Sequence, residues 1–479
     1  MPSPMPSRWV ILSALLPLAL SGCFVSRVDP EKPELPLPVA LSAQGDATAQ
    51  LPDPWWTIFH DDTLDKLVEE ALAHNADVAV AAGRVAEARA GLKITNADRW
   101  PSVDVQGNAT RSKDSAFVNT VPGIKRERTI YTVQGTVGYE LDLWGRYQRA
   151  SESARAALLN TEYGREATKL SLTGDVARGY YGLIAAAQQL GRARETLSTR
   201  EESVRLEKIR FDAGESDEFT FKRAEADAAA TRVSVHQLER EVIERTNALG
   251  ILLGRSPKDL VDAAVSVQGV GLPAAVTLPA ALPSSVMERR PDIGASEALL
   301  DAAAADIGVA RAEMFPNISL TGLFGSISTE LGDLFTKPAE AWQASGSIVQ
   351  PLFEGGRLSA NVERTKAVRE QRKAEYSRTV QGAFREVLDA LQGQALIAGV
   401  RDANAEQVAS LTRATELAEL RYTQGDIAYI DLLDVRRGLF QAQIDLVAAQ
   451  RDALLNAVDL ALAVGGGLGD KAEPLSARR

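Results

Sequence analysis

The chain has 479 residues, of which 24% are charged and 45% hydrophobic, a composition typical of a folded protein and not of a disordered one. Acidic residues outnumber basic residues by 64 to 53, and the formal net charge is −11 at pH 7. This charge, without a basic cluster, argues against nucleic-acid binding. Three scattered histidines and the lack of a phosphate-binding glycine loop after a strand argue against an enzyme, so we predict no catalytic residues and no metal site.

Residues 1–22 have the pattern of an export signal. Arg8 precedes a short apolar stretch ending at Leu20, which has the length of a signal-peptide core and not of a membrane span. Cys23, the only cysteine, follows directly after Leu-Ser-Gly. A lone cysteine can be an unpaired buried thiol, but this position argues against that. Leu-Ser-Gly-Cys resembles the lipobox of bacterial lipoproteins, which implies cleavage before Cys23 and covalent lipid on it. Because Phe24 follows, and not an Asp, the resemblance indicates the outer membrane.

The remainder of the chain is a proline-rich arm followed by a tandem duplication. Prolines exclude a continuous helix in residues 23–54, where we predict an extended arm. The stretch 77–107 recurs as 292–322, and in both an alanine-rich helix ends before a proline and an alternating strand follows. The predicted divisions are the signal peptide, the acylated arm, two structural repeats and a flexible tail: 1–22, 23–54, 55–271, 272–467 and 468–479.

Each repeat contains a long helical hairpin with a glycine at its turn. A helix from Tyr147 to Asp212, which no proline interrupts, would be about 99 Å long at ~1.5 Å per residue. Gly214 and Gly425 suit the two turns because glycine adopts a left-handed conformation without steric cost. The predicted helical hairpins are 147–253 and 358–464. A globular enzyme has little use for helices of this length, since the average helix has roughly 10–14 residues.

Two β-hairpins are predicted, at about 101–139 and 316–350, each with one apolar face and one small, polar face. A water-soluble sandwich has the same alternation, so the period alone does not distinguish it from a sheet in lipid. Four strands cannot close a spanning barrel, because the smallest have about eight, and lipid does not tolerate open edges. A membrane-inserted sheet would therefore need further copies of the chain, and two copies would already supply about eight strands.

Five segments together resemble the TolC-like outer-membrane efflux channels, and in particular the lipoprotein branch of that family. They occur in family order inside the duplicated frame, and the resemblance covers residues 55–467. The segments are Arg-Arg-Pro-Asp-Ile at 289–293, Ile-Gly-Val-Ala-Arg-Ala at 307–312, Phe-Pro-Asn-Ile-Ser-Leu-Thr-Gly at 315–322, Pro-Leu-Phe-Glu-Gly-Gly-Arg at 351–357, and the turn region 421–434.

The resemblance implies a mainly α fold with a transmembrane β-barrel, in which a homotrimer forms a 12-stranded β-barrel that continues into a long periplasmic α-helical barrel. It implies a passive exit duct for drugs or other small molecules, gated at its periplasmic tip. Its partners would be a periplasmic adaptor and an inner-membrane transporter of the resistance-nodulation-division class. The transporter selects the cargo in this family, so the exported compound stays open. The alternative is a lipid-anchored periplasmic coiled-coil scaffold or adaptor without a pore, which would not need lipid-facing strands.

The resemblance also implies roles at the second turn. Ile430 would form an apolar constriction and Asp434 an acidic ring, with Arg421 and Tyr422 bracing the closed state. Carboxylates repeated around a narrow pore repel one another and favour cations. Asp434 could instead be a solvated charge on a helix face, but it follows Ile430 by one helical turn, which favours the gate. For Asp431 the gate and the solvated face stay equally open.

The tip turns at Gly214 and Gly425 are implied as adaptor contacts. The first repeat has Arg223 where Asp434 would align, so we do not expect a second acidic ring. Opening would be an outward shift of the Gly425 hairpin when the adaptor binds.

Overall fold

A computed structural model describes residues 28–33, 35–36, 52, 54–115, 117, 126–262, 265–267, 269–276 and 289–466. The predicted signal peptide, the predicted acylation site Cys23 and the predicted tail 468–479 lie outside the described residues.

The chain forms two compact units, each built from segments of both sequence repeats. The sheet unit comprises Met1–Glu34, Val85–Thr161 and Ser296–Tyr376. The helical unit comprises Leu35–Arg84, Glu162–Ala295 and Ser377–Arg479. Compact packing thus divides the chain differently from the repeat boundaries, and the assignment of 55–271 and 272–467 as repeats stays a prediction.

Long helices dominate the described residues. The α-helices are α1 (Asp62–His74), α2 (Ala76–Ala97), α3 (Arg146–Asp212), α4 (Glu218–Leu252), α5 (Pro257–Asp262), α6 (Pro291–Ala312), α7 (Arg357–Gln424) and α8 (Tyr429–Ala463). Short 3-10 helices occupy Trp55–Phe59, Leu331–Asp333 and Lys337–Ala339. The two long helical hairpins are confirmed, with ends at or next to the predicted residues. Among the described helices, none is apolar over a stretch long enough to cross a membrane.

The alanine-rich helices α2 and α6 end in the same way. The Trp100 N–H donates to the Ala97 carbonyl at 2.9 Å, and the Phe315 N–H donates to the Ala312 carbonyl at 3.1 Å. The residue before a proline is sterically kept out of the helical region, so each helix closes with a tight turn before its proline.

The strands form one antiparallel sheet in the order β1 (Ser102–Lys113), β2 (Glu127–Glu140), β3 (Asn317–Ser328) and β4 (Glu340–Val349). The central pair joins the two repeats, with Val137 of β2 opposite Gly322 of β3. Among the described strands β1 and β4 have one neighbour each, so each has an unpaired edge. The prediction of two β-hairpins is confirmed, and the register merges them into a single sheet.

The register sorts the side chains onto two faces of different chemistry. The apolar face carries Val103, Val105, Val133, Val137, Leu320, Phe324, Trp342 and Ile348. The polar face carries Asp104, Gln106, Gln134, Thr136, Thr321, Gln343 and Ser345. Phe324 and Trp342 lie opposite each other and are 67% and 78% exposed, so the apolar face is uncovered within one chain.

In the helical unit, the contacts of Arg290 give a structural role to part of the Arg-Arg-Pro-Asp-Ile segment at 289–293. Its guanidinium is almost buried and donates to the carbonyl of Ala463 at 2.7 Å, at the end of α8. It also pairs with Asp292 at the start of α6 and with Glu386 of α7, each at 2.8 Å. One side chain therefore ties three helices together and satisfies a carbonyl that the helix end leaves free.

Candidate functional site at the two helical turns

The turns at Gly214 and Gly425 have the same backbone geometry. Both glycines are left-handed, with φ of 77° and 84°. The Glu215 N–H donates to the Arg210 carbonyl at 2.8 Å, and the Asp426 N–H donates to the Arg421 carbonyl at 2.9 Å. This is a Schellman helix end, which favours glycine at the left-handed position. A Cβ added to either glycine would have no atom within 4 Å, so the backbone and not packing selects glycine here.

The helices that follow the turns are capped differently. Asp217 caps α4, and its carboxylate accepts the Thr220 N–H at 2.7 Å. That hydrogen bond holds the pKa of Asp217 below its usual range. In α8 the cap position is Ala428, which has no side-chain acceptor, and the Asp431 carboxylate instead accepts the Ala428 N–H at 3.2 Å. Asp431 therefore stabilises the start of α8, and the choice between a gate residue and a solvated charge stays open.

Ile430 belongs to a small apolar cluster between the two hairpins. Ala224, Tyr429 and Leu433 are buried in it, and Ile430 packs against them half-buried. Asp434 lies one turn further along α8 with an exposed side chain. The predicted shared face thus runs from an apolar contact at Ile430 to an exposed carboxylate at Asp434.

Tyr422 connects the second hairpin to the first. Its hydroxyl donates to Oε1 of Glu207 on α3 at 2.7 Å, and its ring centroid lies 5.5 Å from that of Tyr429. The Arg210 guanidinium lies 5.1 Å from the Tyr422 ring centroid. Burial, followed by the hydrogen bond to Glu207, raises the pKa of the Tyr422 phenol, which stays a neutral donor. Tyr422 therefore joins α7 to α3 within one chain.

Arg421, by contrast, takes part in none of these contacts. Its side chain is exposed, and neither it nor Asp434 has a hydrogen bond or ion pair to another side chain in the described part of the chain. The structure places Arg421, Tyr422, Ile430, Asp431 and Asp434 around the same turn but does not join Arg421 to Asp434. Arg223, the first-repeat equivalent of Asp434, lies with its guanidinium 5.3 Å from the Phe219 ring centroid.

A buried ion network next to the turns is absent from the sequence prediction. Asp227 of α4 pairs with Arg200 of α3 and, at 2.9 Å, with Arg437 of α8. Arg200 and Asp227 have side chains only 5% and 4% exposed. Burial, and then the charge of Arg437, lower the pKa of Arg200 to about 10. A buried aspartate between two arginines fixes three helices, since removing any partner leaves an uncompensated charge.

A second polar link lies beside this network. Arg436 of α8 pairs with Glu419 of α7 and donates to Ser203 of α3, both at 2.8 Å. Asp227 lies between the buried residues Ala224 and Ala228 of α4, and a charged residue at such a position is the sequence signal for these contacts. Their pairing could not be read from spacing because the partners belong to different helices.

The chain matches the family described as "Outer membrane efflux protein" over residues 67–255 and 282–466. It is similar to the probable efflux pump outer membrane protein TtgC of Pseudomonas putida, with 33% identity over 95% of this chain and 94% of the relative. It is also similar to the probable outer membrane lipoprotein SilC of Salmonella typhimurium, with 30% identity over 95% of this chain and 98% of the relative. The crystal structure of the Campylobacter jejuni CmeC outer membrane channel superposes with a TM-score of 0.85 at 25% identity, covering 93% of this chain and 97% of CmeC.

Proposed function

This chain belongs to the outer membrane efflux protein family and is an outer-membrane exit duct of an efflux pump, and we propose that three copies form the duct and gate it at the Gly425 turn. The observation that carries the proposal is the two-faced sheet with two unpaired edges, in a chain whose relatives match it over nearly its whole length. The cargo would be drugs or other small molecules delivered by the rest of the pump.

The duplication itself supports closure by further copies. Within the chain, β2 of the first repeat pairs with β3 of the second. By sequence position β4 is the second-repeat equivalent of β2, and β1 is the first-repeat equivalent of β3. The unpaired β4 edge of one copy is therefore expected to pair with the unpaired β1 edge of the next copy in the way that β2 pairs with β3. Repeating this contact joins four-stranded sheets into one ring, and three copies give the 12 strands that the family resemblance implies.

The internal register specifies the contact between copies. Thr136 lies opposite Leu323 in the β2–β3 pair. The equivalent residues are Ser347 on β4 and Asn108 on β1, so these two face each other across the boundary between copies. They form a non-hydrogen-bonded pair, whose Cα atoms are about 4.5 Å apart and within disulfide reach.

Disulfide cross-linking tests the ring. A chain with Asn108→Cys and Ser347→Cys, oxidised in outer membranes, is expected to give a ladder that ends at three linked chains. The matched control, Asn108→Cys with Gln343→Cys, is on the same polar face but out of register and is expected to stay monomeric on denaturing gels. A ladder ending at two chains, or equal cross-linking of the control, would contradict the trimer and its register.

The gate proposal places three Asp434 carboxylates around the pore beside three Ile430 side chains, with Asp431 next to them as a cap of α8. Tyr422 would brace the closed state through Glu207, a contact that each chain makes within itself. Arg421 is exposed, so its bracing contact would be to a neighbouring copy. Opening would move the Gly425 hairpin outward and separate these groups.

Planar-bilayer recordings test the role of Arg421. Arg421→Ser is expected to raise single-channel conductance. Arg413→Ser is the matched control, because Arg413 is also an exposed arginine of α7 but pairs with Glu416 at 2.7 Å. Equal conductance of wild type and Arg421→Ser would remove Arg421 from the gate.

The proposed partners are a periplasmic adaptor, which would contact the Gly214 and Gly425 turns, and an inner-membrane transporter of the resistance-nodulation-division class. Both turns are exposed and have open space around the glycines, which supports docking there. Lipid on Cys23 would anchor the chain to the outer membrane, as the name of the relative SilC indicates for that protein.

A lipid-anchored scaffold without a pore is the alternative function. The apolar face of the sheet favours the duct, since a scaffold in water would expose Phe324, Trp342 and Ile348 at a free-energy cost. Liposome swelling distinguishes the two: the duct lets small sugars leak, whereas a scaffold leaves the vesicles sealed.

A further inference from the structure

The arm contains an unusual backbone conformation at Glu31. Its φ is 52°, which is left-handed, and it is one of two residues other than glycine with positive φ in the described part of the chain. A side chain with a Cβ adopts this conformation at a cost and keeps it where surrounding contacts determine it. Glu31 also lies between Pro30 and Pro33, which restrict the backbone on both sides.

At this left-handed position, the adjacent side chains of Glu31 and Lys32 contact two different helices of the sheet unit. Glu31 accepts from Arg369 of α7 at 3.0 Å and lies 3.5 Å from the Lys373 ammonium. Lys32 pairs with Glu297 of α6. The arm thus presents a negative charge to a positive site on α7 and a positive charge to a negative site on α6.

Several features make this contact stronger than a single surface ion pair. An exposed pair contributes little, but here opposite charges are paired twice on adjacent residues, so each pair positions the other. The Arg369 side chain is only 14% exposed and lies between two carboxylates, Glu31 of the arm at 3.0 Å and Glu370 of its own helix at 2.9 Å. The prolines reduce the conformational entropy that the arm loses on docking.

We propose that residues 28–33 act as a strap, in which Glu31 and Lys32 clamp the arm to α6 and α7 and so set the position of the lipid anchor. This proposal rests on the acylation of Cys23 proposed above. Cys23 precedes Glu31 by eight residues, so even a fully extended chain keeps it within about 29 Å of the clamp. The clamp thereby holds the acyl group near the sheet unit. The effect of the acyl group on assembly in the membrane therefore depends on an intact clamp.

Hydrogen exchange on the full-length, detergent-solubilised protein tests the clamp. The double variant Glu31→Gln/Lys32→Gln removes all three ion pairs of the clamp without creating new ones, and exchange of the strap amides is expected to become about tenfold faster. The control Glu363→Gln/Lys366→Gln changes an exposed acid and base of α7 outside the clamp and should leave the strap unchanged. Unchanged exchange in the clamp variant would overturn the proposal.

Assembly kinetics test the connection to the lipid. The rate of forming heat-resistant oligomers in phosphatidylethanolamine–phosphatidylglycerol vesicles is compared for acylated protein and Cys23→Ala, in the wild-type and clamp-variant backgrounds. Acylation is expected to accelerate assembly several-fold in the wild type and to have no effect in the clamp variant. Equal acceleration in both backgrounds, or none in the wild type, would refute the strap.

Conductance of the assembled protein separates this proposal from the proposed function. The clamp variant, once assembled, is expected to conduct like the wild type. A wild-type protein that assembles but does not conduct would refute the exit duct, while the exchange result would still decide the clamp.

Discussion

The two helical turns have the same backbone conformation but differ in the contacts that their side chains make. At the first turn, Phe211 stacks on Phe221 of the same hairpin, with ring centroids 5.9 Å apart and planes 8° from parallel. At the second turn the equivalent of Phe211 is Tyr422, whose hydroxyl reaches Glu207 of the other hairpin. The first hairpin is therefore closed by its own apolar contact. The second is held to the first by the Tyr422–Glu207 hydrogen bond, in addition to the apolar cluster and the ion network described above. We call this hydrogen bond the latch; Phe211 cannot make an equivalent one, which suits the second hairpin to gating.

The largest expected effect comes from the buried ion network that joins the hairpins. Asp227→Ala leaves the buried Arg200 without its carboxylate, and we expect a loss of about 3–5 kcal/mol in the free energy of unfolding. Denaturant titration of the solubilised protein measures it. Asp434→Ala, an exposed carboxylate on α8, is the control and should change stability little. Similar losses in both variants would mean that burial does not distinguish these carboxylates.

Removal of the latch hydroxyl should act on gating more than on stability. Tyr422→Phe leaves the buried Glu207 with one partner fewer, and the lost hydrogen bond, worth about 1–2 kcal/mol, should raise the open probability roughly tenfold. Phe211→Leu, at the equivalent position of the first turn, should leave the open probability unchanged. Single-channel recording compares them, and a larger effect of Phe211→Leu would reverse the roles assigned to the hairpins.

Because the two turns have the same backbone conformation, replacing either glycine should lower the free energy of unfolding by the same amount. Gly214→Ala and Gly425→Ala should each cost about 1 kcal/mol, because alanine is strained at positive φ and neither site has a neighbour to clash with. Thermal unfolding of the two variants provides the comparison. A clearly unequal cost would show that one turn is held by something other than its backbone.

The smallest expected effect is a pH response confined to the first turn. The pKa of Asp217 is depressed by the Thr220 N–H, so its cap is fully formed above the ordinary value of 3.8 and is lost as pH falls through the lower folded-state value. Exchange of the Thr220 amide, compared with the intrinsic rate of an unprotected amide at the same pH, should therefore accelerate in acid. Asp217→Asn keeps an uncharged cap and should remove this response. Persistence of the response in Asp217→Asn would assign it to another group.

Much of the fold could be predicted from the sequence because it depends on local rules. Proline-free stretches predicted the long helices α3 and α7, glycine predicted the turns at Gly214 and Gly425, and alternation predicted the strands. The duplication followed from the order of these elements. The residues of the second turn were found by resemblance, and their roles in the gate stay predictions.

Contacts between distant segments required the tertiary structure. The cap formed by Asp431, the bond from Tyr422 to Glu207, the buried Arg200–Asp227–Arg437 network and the clamp at Glu31 each depend on where a side chain meets its partner. Helical periodicity fixes which face a residue occupies on its own helix. It does not fix how far one helix is shifted and rotated against the next, and that packing decides which charges meet. The sequence alone therefore determined the elements and their repetition, whereas helix packing decided which polar groups hold the turns and the arm in place.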